Sequence, residues 1–322
     1  MDELADFDVM GGCVCVVGSM NADYTVQVEF LPQVGETVNG GAMRILPGGK
    51  SGNQAAVAAL LGTSVRMFGA VGSDTNADFL LGNLAQVDVD VSHVLQVDGP
   101  SGTTLITVDA QGENTIVYSA GSNALVSPAY IEFVKESLTS APVLGLCMES
   151  PLETVVAAAQ LCHSSGMKVL LNNSPFVVDL PRELIDASDI LLVNKLEAAQ
   201  LFNEPALNDC QEGLVDWLGL AKTVQLFGFE SVVITLGGEG SVVVDGGAVT
   251  RIKPVLVDAQ DTTGCGDAFM GAILAGLASG FTLVRAAKLA SYVAAYAALS
   301  EGAQASYGTP AEIRAYFQLE RG

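Results

Sequence analysis

The apolar positions of this chain follow two rhythms. Near the start, Cys13-Val14-Cys15-Val16-Val17-Gly18 is an unbroken apolar run closed by glycine, which predicts a strand buried on both faces. The next stretch alternates instead. Tyr24, Val26, Val28 and Phe30 fall on one side and Thr25, Gln27 and Glu29 on the other, so it predicts a strand with one wet face. A turn at Leu31-Pro32-Gln33-Val34-Gly35-Glu36-Thr37 follows, and Pro47-Gly48-Gly49-Lys50-Ser51-Gly52-Asn53-Gln54 leads into a helix over 55–61. Residues 65–71 read as a strand, 76–85 as a helix, and the segment to about Val97 as extended. Two β-rich runs, 103–109 and 114–118, flank a Gln111-Gly112-Glu113 turn and predict a hairpin. Together with strands near Tyr24 and Met43, this hairpin predicts a small half-exposed sheet, suited to a lid.

From Val143 the rhythm becomes strand and helix in turn. Strands are predicted over 143–147, 168–171, 190–193 and 232–236, and helices over 152–163, 195–202 and within 211–227. Continuous apolar strands alternating with helices give an α/β fold with a mostly parallel sheet covered on both sides. Polar groups stand where the strands finish: Asn21 and Asp23 after the first, then Glu149, Asn172 and Asn173, Asn194, and Gly237-Gly238-Glu239-Gly240. Open α/β sheets bind ligands at such strand ends, so this placement predicts one shared site along the sheet's edge. A hairpin over 241–245 and 249–255, a helix over 282–300 with Arg285 and Lys288 on its wet side, and an amphipathic helix over 311–319 complete the chain. Without repeats or long linkers, residues 1–322 form one domain, with lid segments at about 22–47 and 100–120.

Composition narrows the partners. Half of the 322 residues are hydrophobic, 16% are charged, and 14 Lys+Arg against 36 Asp+Glu give a net charge of −22. Nucleic acid and anionic membranes are poor partners for such a surface, and a phosphorylated ligand must be held by local dipoles and a cation. The six cysteines, Cys13, Cys15, Cys147, Cys162, Cys210 and Cys265, lack metal-ligand spacing and read as buried free thiols. His93 and His163 are too few for a zinc site or a histidine triad. No apolar run reaches the roughly 18 residues needed to span a bilayer, and there is no signal-peptide or Ser-Lys-Leu pattern, so a soluble cytoplasmic protein is expected.

The chemistry concentrates at Asp261-Thr262-Thr263-Gly264-Cys265-Gly266-Asp267-Ala268-Phe269, which opens the apolar run Met270-Gly271-Ala272-Ile273-Leu274. A helix N-terminus presents unpaired N–H groups and a partial positive charge, and glycines let an anion approach them. Asp267 stands beside that anion hole as a candidate base, although Gly-x-Gly-Asp alone fits an ordinary capping aspartate equally well. Gly49, Lys50 and Asn53 form a second place where backbone meets a polar ligand, without Walker A order.

Eight motifs then occur in an order that resembles the ribokinase-like sugar kinase family. They are Gly18-Ser19-Met20-Asn21-Ala22-Asp23, Leu31-Pro32 with Gly35-Glu36-Thr37, Gly48-Gly49-Lys50 with Asn53-Gln54-Ala55, Gly112-Glu113-Asn114, Glu149-Ser150-Pro151-Leu152-Glu153, Asn194 with Glu197, Thr235-Leu236-Gly237, and the Asp261–Asp267 stretch. The resemblance covers the chain from about Cys13 to Phe317 and implies a Rossmann-like three-layer fold with a β-sheet lid. It implies ATP-dependent phosphorylation of ribose at its 5-hydroxyl, with Asp267 as base and the N–H groups of Gly264, Cys265 and Gly266 as the anion hole. Asn21, Asp23, Gly49, Lys50, Asn53 and Glu149 would hold the sugar. Asn194, Thr235, Leu236, Gly237, Gly238, Glu239, Gly240, Gly266 and Ser291 would hold ATP, and Glu197 would organise Mg²⁺ indirectly. A monovalent cation, usually K⁺, would sit among Asp261, Thr263, Ala297, Ser300, Gly302 and Ser306, and two lids would pair in a homodimer. The chain departs from the family at Ser51-Gly52, where the glycine is displaced by one, at Cys265, where alanine is usual, and at Lys195. A kinase for another sugar or a nucleoside, and a non-catalytic sugar- or nucleotide-binding regulator, are the alternatives on the same fold.

Overall fold

A computed structural model describes residues 3–209 and 215–319. Nine strands form the main sheet: β1 (Cys13–Val17), β4 (Ser64–Val71), β5 (Val89–Gln96), β8 (Val143–Cys147), β9 (Lys168–Asn172), β10 (Ile190–Asn194), β11 (Ser231–Thr235), β12 (Ser241–Asp245) and β13 (Ala248–Ile252). Their order is β13-β12-β11-β10-β9-β8-β1-β4-β5, antiparallel only at β11–β12 and β12–β13. The unbroken apolar runs of the sequence are its central strands, buried on both faces as a parallel sheet requires. On β1, Val14 and Val16 belong to the core on one side of the sheet, with Met270, Ile273 and Leu289, and Cys15 and Val17 to the core on the other, with Val155, Ala158 and Ala159. The helix Cys265–Ala278 lies in the first layer, shielded from solvent by the helix Leu283–Ala297 and the sheet, and ten of its residues are buried.

The second sheet contains β2 (Asn21–Gln27), β3 (Arg44–Gly48), β6 (Gly102–Val108) and β7 (Asn114–Ser119) in the order β3-β2-β6-β7. The half-exposed lid sheet expected from the alternating segment and the hairpin is present, with β2 running parallel to β6. Directly opposed residues share a face, so Leu46, Asp23, Thr104 and Tyr118 form one row and Ile45, Tyr24, Leu105 and Val117 form a row on the other side. Four connections join the second sheet to the rest of the chain: 18–20 and 97–101 from strands of the main sheet, residue 49 into the helix Lys50–Leu60 and residue 120 into the 3-10 segment Gly121–Leu125.

Three expectations need correction. Asn21 and Asp23 belong to β2, because the chain passes from one sheet to the other in three residues. The alternation ends at Gln27, followed by a single bridge at Val28, and Phe30 lies exposed in a loop. The helix expected from Ala55 begins at Lys50 and runs to Leu60, since Gly49 reverses the chain and packing overrides the poor helix formers Ser51 and Gly52. Within 211–227 the helix observed is Trp217–Phe227, and residues 210–214, including Cys210, lie outside the described residues. The five other cysteines are free thiols.

The residues ahead of β1 are structured as well. A 3-10 segment, Glu3–Val9, buries Leu4 and Phe7, while Asp6 accepts two hydrogen bonds from Arg285, at 2.9 and 2.8 Å, and Asp8 pairs with Arg314.

Candidate active site

The site grows from two helix starts that face each other. Gly49, at φ 87°, caps the Lys50–Leu60 helix, and a Cβ there would stand 2.8 Å from the Asn21 nitrogen. That tight reversal sets Lys50, Asn53 and Gln54 in the first turns of this helix. Opposite them, Gly264 at φ 76° starts the Cys265–Ala278 helix, with Asp267 as its third residue. The carboxylate of Asp267 caps nothing. Its Oδ2 accepts from Asn53 Nδ2 at 2.9 Å and its Oδ1 from Gln54 Nε2 at 3.1 Å, and the residue is 7% exposed. The capping alternative therefore fails at this aspartate.

Burial pushes the Asp267 carboxyl up, against the opposing pull of Lys50 and of the Asn53 and Gln54 donors. Burial pulls Lys50 down, but the charges of Asp267 and Glu149 outweigh it and leave its ammonium above the usual value. The asymmetry has a simple cause: one cation serves two carboxylates. Asp23 is pushed to about 6 by burial first, with Thr104 opposing and Glu149 and Asp267 adding to the rise.

Glu149 follows β8 and accepts from Ser19 Oγ and, at 3.0 Å, from the Lys50 backbone nitrogen. Asn21 is held by a residue absent from the motifs: Asn123 Nδ2 donates to Asn21 Oδ1 at 2.7 Å, and Asn123 Oδ1 accepts from Met20 N at 3.1 Å. Tyr118 on β7 donates to the Glu149 carbonyl at 3.4 Å. Asn21, Asp23, Gly49, Lys50, Asn53, Glu149 and Asp267 thus gather where the lid's base meets the main sheet. Asn53 is less free than expected, because its Oδ1 also accepts from Gln304 Nε2 at 3.1 Å.

Across the Cys265–Ala278 N-terminus lies a cavity of about 280 Å³, lined by Thr235, Gly237, Gly238 and Gly240 after β11, by Pro254 to Val257, by Cys265, Gly266 and Phe269, and by Ser291, Ala294 and Ala298. Leu236 and Glu239 are not among its lining residues: Leu236 is buried in the core and donates its N–H to Gly240, and Glu239 is exposed. The two motif glycines serve different ends. A Cβ at Gly266 would meet nothing within 4 Å, so its backbone lies open at the cavity, whereas one at Gly264 would stand 2.7 Å from both the Ala303 Cβ and Tyr307 Oη. Of the three expected anion-hole donors, the Cys265 N–H already donates to the Thr262 carbonyl at 3.2 Å. Burial pushes the Cys265 thiol up to about 11, and Asp261 and Asp267 add to the rise.

Asn194 and Glu197 make a complete capping box: Asn194 Oδ1 accepts from the Leu196 and Glu197 N–H groups, and Glu197 Oε2 from the Asn194 N–H. The expected cation positions are drawn together by Asp261, whose carboxylate accepts from Thr263 N at 2.9 Å and from Gly302 N at 2.8 Å. The Ala298 carbonyl accepts from the Gln260 and Asp261 nitrogens, which brings the end of the Leu283–Ala297 helix to the same loop. Ala297 and Ser306 are buried there and Ser300 is exposed. Among the described residues, no group of three or more His, Cys, Asp or Glu side chains is gathered for a metal.

Sequence reading missed Ser19, Gln54, Tyr118, Asn123, Gln304 and Tyr307. Gln54 and Ser19 lay inside quoted motifs without an assigned role. The others carried no periodic or spacing signal.

Comparison with known proteins gives a consistent result. The family described as pfkB family carbohydrate kinase matches residues 13–310. The ribokinase of Bacillus subtilis is 33% identical over 300 residues, covering 93% of this chain and 97% of its own, and that of Haemophilus influenzae is 32% identical over 307 residues, covering 94% and 97%. The structure of Arabidopsis thaliana ribokinase complexed with ribose and ATP superposes with a TM-score of 0.84 at 26% identity, covering 94% of this chain and 98% of that one.

Proposed function

The chain belongs to the pfkB family of carbohydrate kinases, and from that premise we infer how its own residues carry out the ATP-dependent phosphorylation of ribose. The observation that carries the reading is Asp267, buried between two amide donors at the start of a helix that opens on one side to the cavity and on the other to the polar lid base. Ribose lies on the lid side, where Asn21, Asp23, Lys50 and Glu149 offer donors and acceptors for its hydroxyls. A site built of such groups rejects analogues lacking a hydroxyl, because its own buried atoms are then left unpaired.

ATP occupies the cavity with its terminal phosphate toward the first turn of the Cys265–Ala278 helix. Asp267 takes the proton from the 5-hydroxyl as that oxygen attacks the terminal phosphorus and the bond to the bridging oxygen breaks, releasing ADP, and burial raises its carboxyl above the usual carboxylate range, which makes it a stronger base. The backbone N–H groups of Gly264 and Gly266, with the helix dipole, stabilise the charge that spreads over the transferred group. The alternatives of a nucleoside kinase and of a non-catalytic regulator are not favoured beside relatives that are ribokinases.

Mg²⁺ prefers phosphate and water oxygens with one or two carboxylates; Glu197 would supply one of them indirectly, and among the described residues no group of three or more His, Cys, Asp or Glu is gathered for a metal. When bound it offsets phosphate charge. The loops tied by Asp261 supply backbone oxygens at Asp261, Thr263, Ala297, Ser300, Gly302 and Ser306 for a monovalent cation such as K⁺. The exposed apolar side chains of Ile45, Leu105 and Val117, aligned on one lid face, support a homodimer through the lid sheets. No helix among the described residues is long and apolar enough to cross a membrane.

Coupled ADP release with Mg-ATP and ribose, with and without K⁺, tests the reading. Ribose-dependent turnover raised by K⁺ is expected, and Asp267→Asn should abolish turnover while ribose affinity stays within about tenfold. Ribose binding without turnover in the unaltered protein would overturn it.

A further inference from the structure

Gln54 has a geometry that sugar binding does not explain. It is fully buried in the helix that carries Lys50 and Asn53, and its Nε2 donates to Asp267 Oδ1 at 3.1 Å. Its Oε1 is buried with no hydrogen-bond partner. The amide cannot turn round, because that would set Oε1 against the carboxylate. A methionine of similar volume would fill the space without a stranded amide oxygen, but it would take the donor away from Asp267 Oδ1, so packing alone does not account for glutamine here. Asn53 grips the other oxygen at 2.9 Å and is itself gripped by Gln304 at 3.1 Å. One amide on each oxygen fixes the plane of the carboxylate and leaves a lone pair on each.

We propose that Gln54 is a positioning residue for phosphoryl transfer, holding the Asp267 carboxylate in the one orientation that presents a free lone pair to the acceptor hydroxyl. Gln54 is too deeply buried to touch the sugar, so it acts through Asp267. Lys50, on the same helix as Gln54, is the group whose charge acts on this carboxylate, and the carboxylate in turn pushes up Asp23 on β2, Cys265 on its own helix and Tyr307 beyond the Gln304 turn. Only Lys50 among them is positive, and it is shared with Glu149. The Gln54 donor therefore also favours the ionised base that the step requires.

The proposal rests on Asp267 being the base, so Asp267→Asn and Gln54→Met are measured side by side in the full chain. Gln54→Met is expected to lower kcat about tenfold through lost orientation and to move the acid limb of the kcat profile up by about one pH unit. The ribose KM should stay within about threefold. Wild-type kcat with an unmoved acid limb would overturn the proposal, as would a raised ribose KM at unchanged kcat. If the methionine variant does not fold, Gln54→Glu keeps the shape but sets an oxygen against Asp267, and wild-type turnover by that variant at neutral pH would overturn the proposal equally. Turnover retained by Asp267→Asn would refute the base instead.

Discussion

Replacing Gly264 with alanine tests the anion hole without touching a side chain that reacts. Gly264 sits at φ 76°, where an L-residue costs about 1–2 kcal/mol. Its added Cβ would stand 2.7 Å from the Ala303 Cβ and from Tyr307 Oη, both on buried residues, and overpacking of that kind costs about 1–3 kcal/mol. The two together come to about 2–5 kcal/mol. For a chain of 322 residues, the unfolding entropy of about 0.7 kcal/mol/K turns this into a Tm lowered by roughly 3–7 °C. The fold should survive, but Tyr307 Oη, which donates to the Gly264 carbonyl at 3.1 Å, must retreat and let the turn rotate. Rotation turns the first N–H groups away from the phosphoryl group, and the loss of one such donor costs about 10²–10³ in kcat. Thermal unfolding and steady-state ADP release measure the two effects, and the ribose KM should stay within about threefold because the proposed sugar site is on the other side of Asp267. A Tm within about a degree of wild type together with kcat within about twofold would refute both the crowding and the anion hole.

Three further outcomes are expected. Asp23 has a folded pKa of about 6 against 3.8, so it binds more protons folded than unfolded and stability falls as pH rises from about 4 to about 6. Asp23→Asn should therefore raise the Tm at pH 7.5 by an amount corresponding to at most about 3 kcal/mol, with the gap closing below about pH 4 and the ribose KM raised throughout. Asp261 is held below its usual value because the Gly302 and Thr263 N–H groups, with Arg44, outweigh its burial, so it stabilises the fold above its unfolded pKa and that support is lost as pH falls below it. Asp261→Ala should cost about 1–3 kcal/mol in chemical denaturation and abolish the response of turnover to K⁺, and a K⁺ response of normal size would count against this cation loop. Ile116 and Tyr118 share one lid face and Leu105 and Val117 the other, so Leu105→Lys with Val117→Glu should yield monomers by sedimentation without altering the sugar-facing row, and a dimer of unchanged affinity would place the contact elsewhere.

The parts of this molecule visible in the sequence are those governed by one-dimensional physics. Continuous apolar runs gave away β1, β8, β9, β10 and β11, and the Gly264-Cys265-Gly266-Asp267 order gave away a helix start able to receive an anion. The parts that were hidden depend on contacts distant along the chain. Lys50-Ser51-Gly52 does not look helical, because its helix is stabilised by burial against the Cys265–Ala278 helix and not by propensity. Asn123 and Gln304 look like ordinary loop amides until the fold sets them against Asn21 and Asn53. Leu236 was placed at the nucleotide by motif position alone, while its apolar character fitted the core where it lies. Asn194 and Glu197 likewise had a local explanation, a capping box, available from their spacing.

The row at the base of the lid, where Gly48 and Gly102 flank Asn21, has a mechanical meaning. The four connections between the lid and the rest of the chain lie beside the groups proposed to hold the sugar. On the proposed placement the substrate is gripped at the axle of the lid, and a small bound molecule can stiffen a whole sheet that it scarcely touches. Ribose alone, with no nucleotide present, should then slow backbone hydrogen exchange along β6 and β7, converting the binding of a sugar into the ordering of a surface more than its own width away.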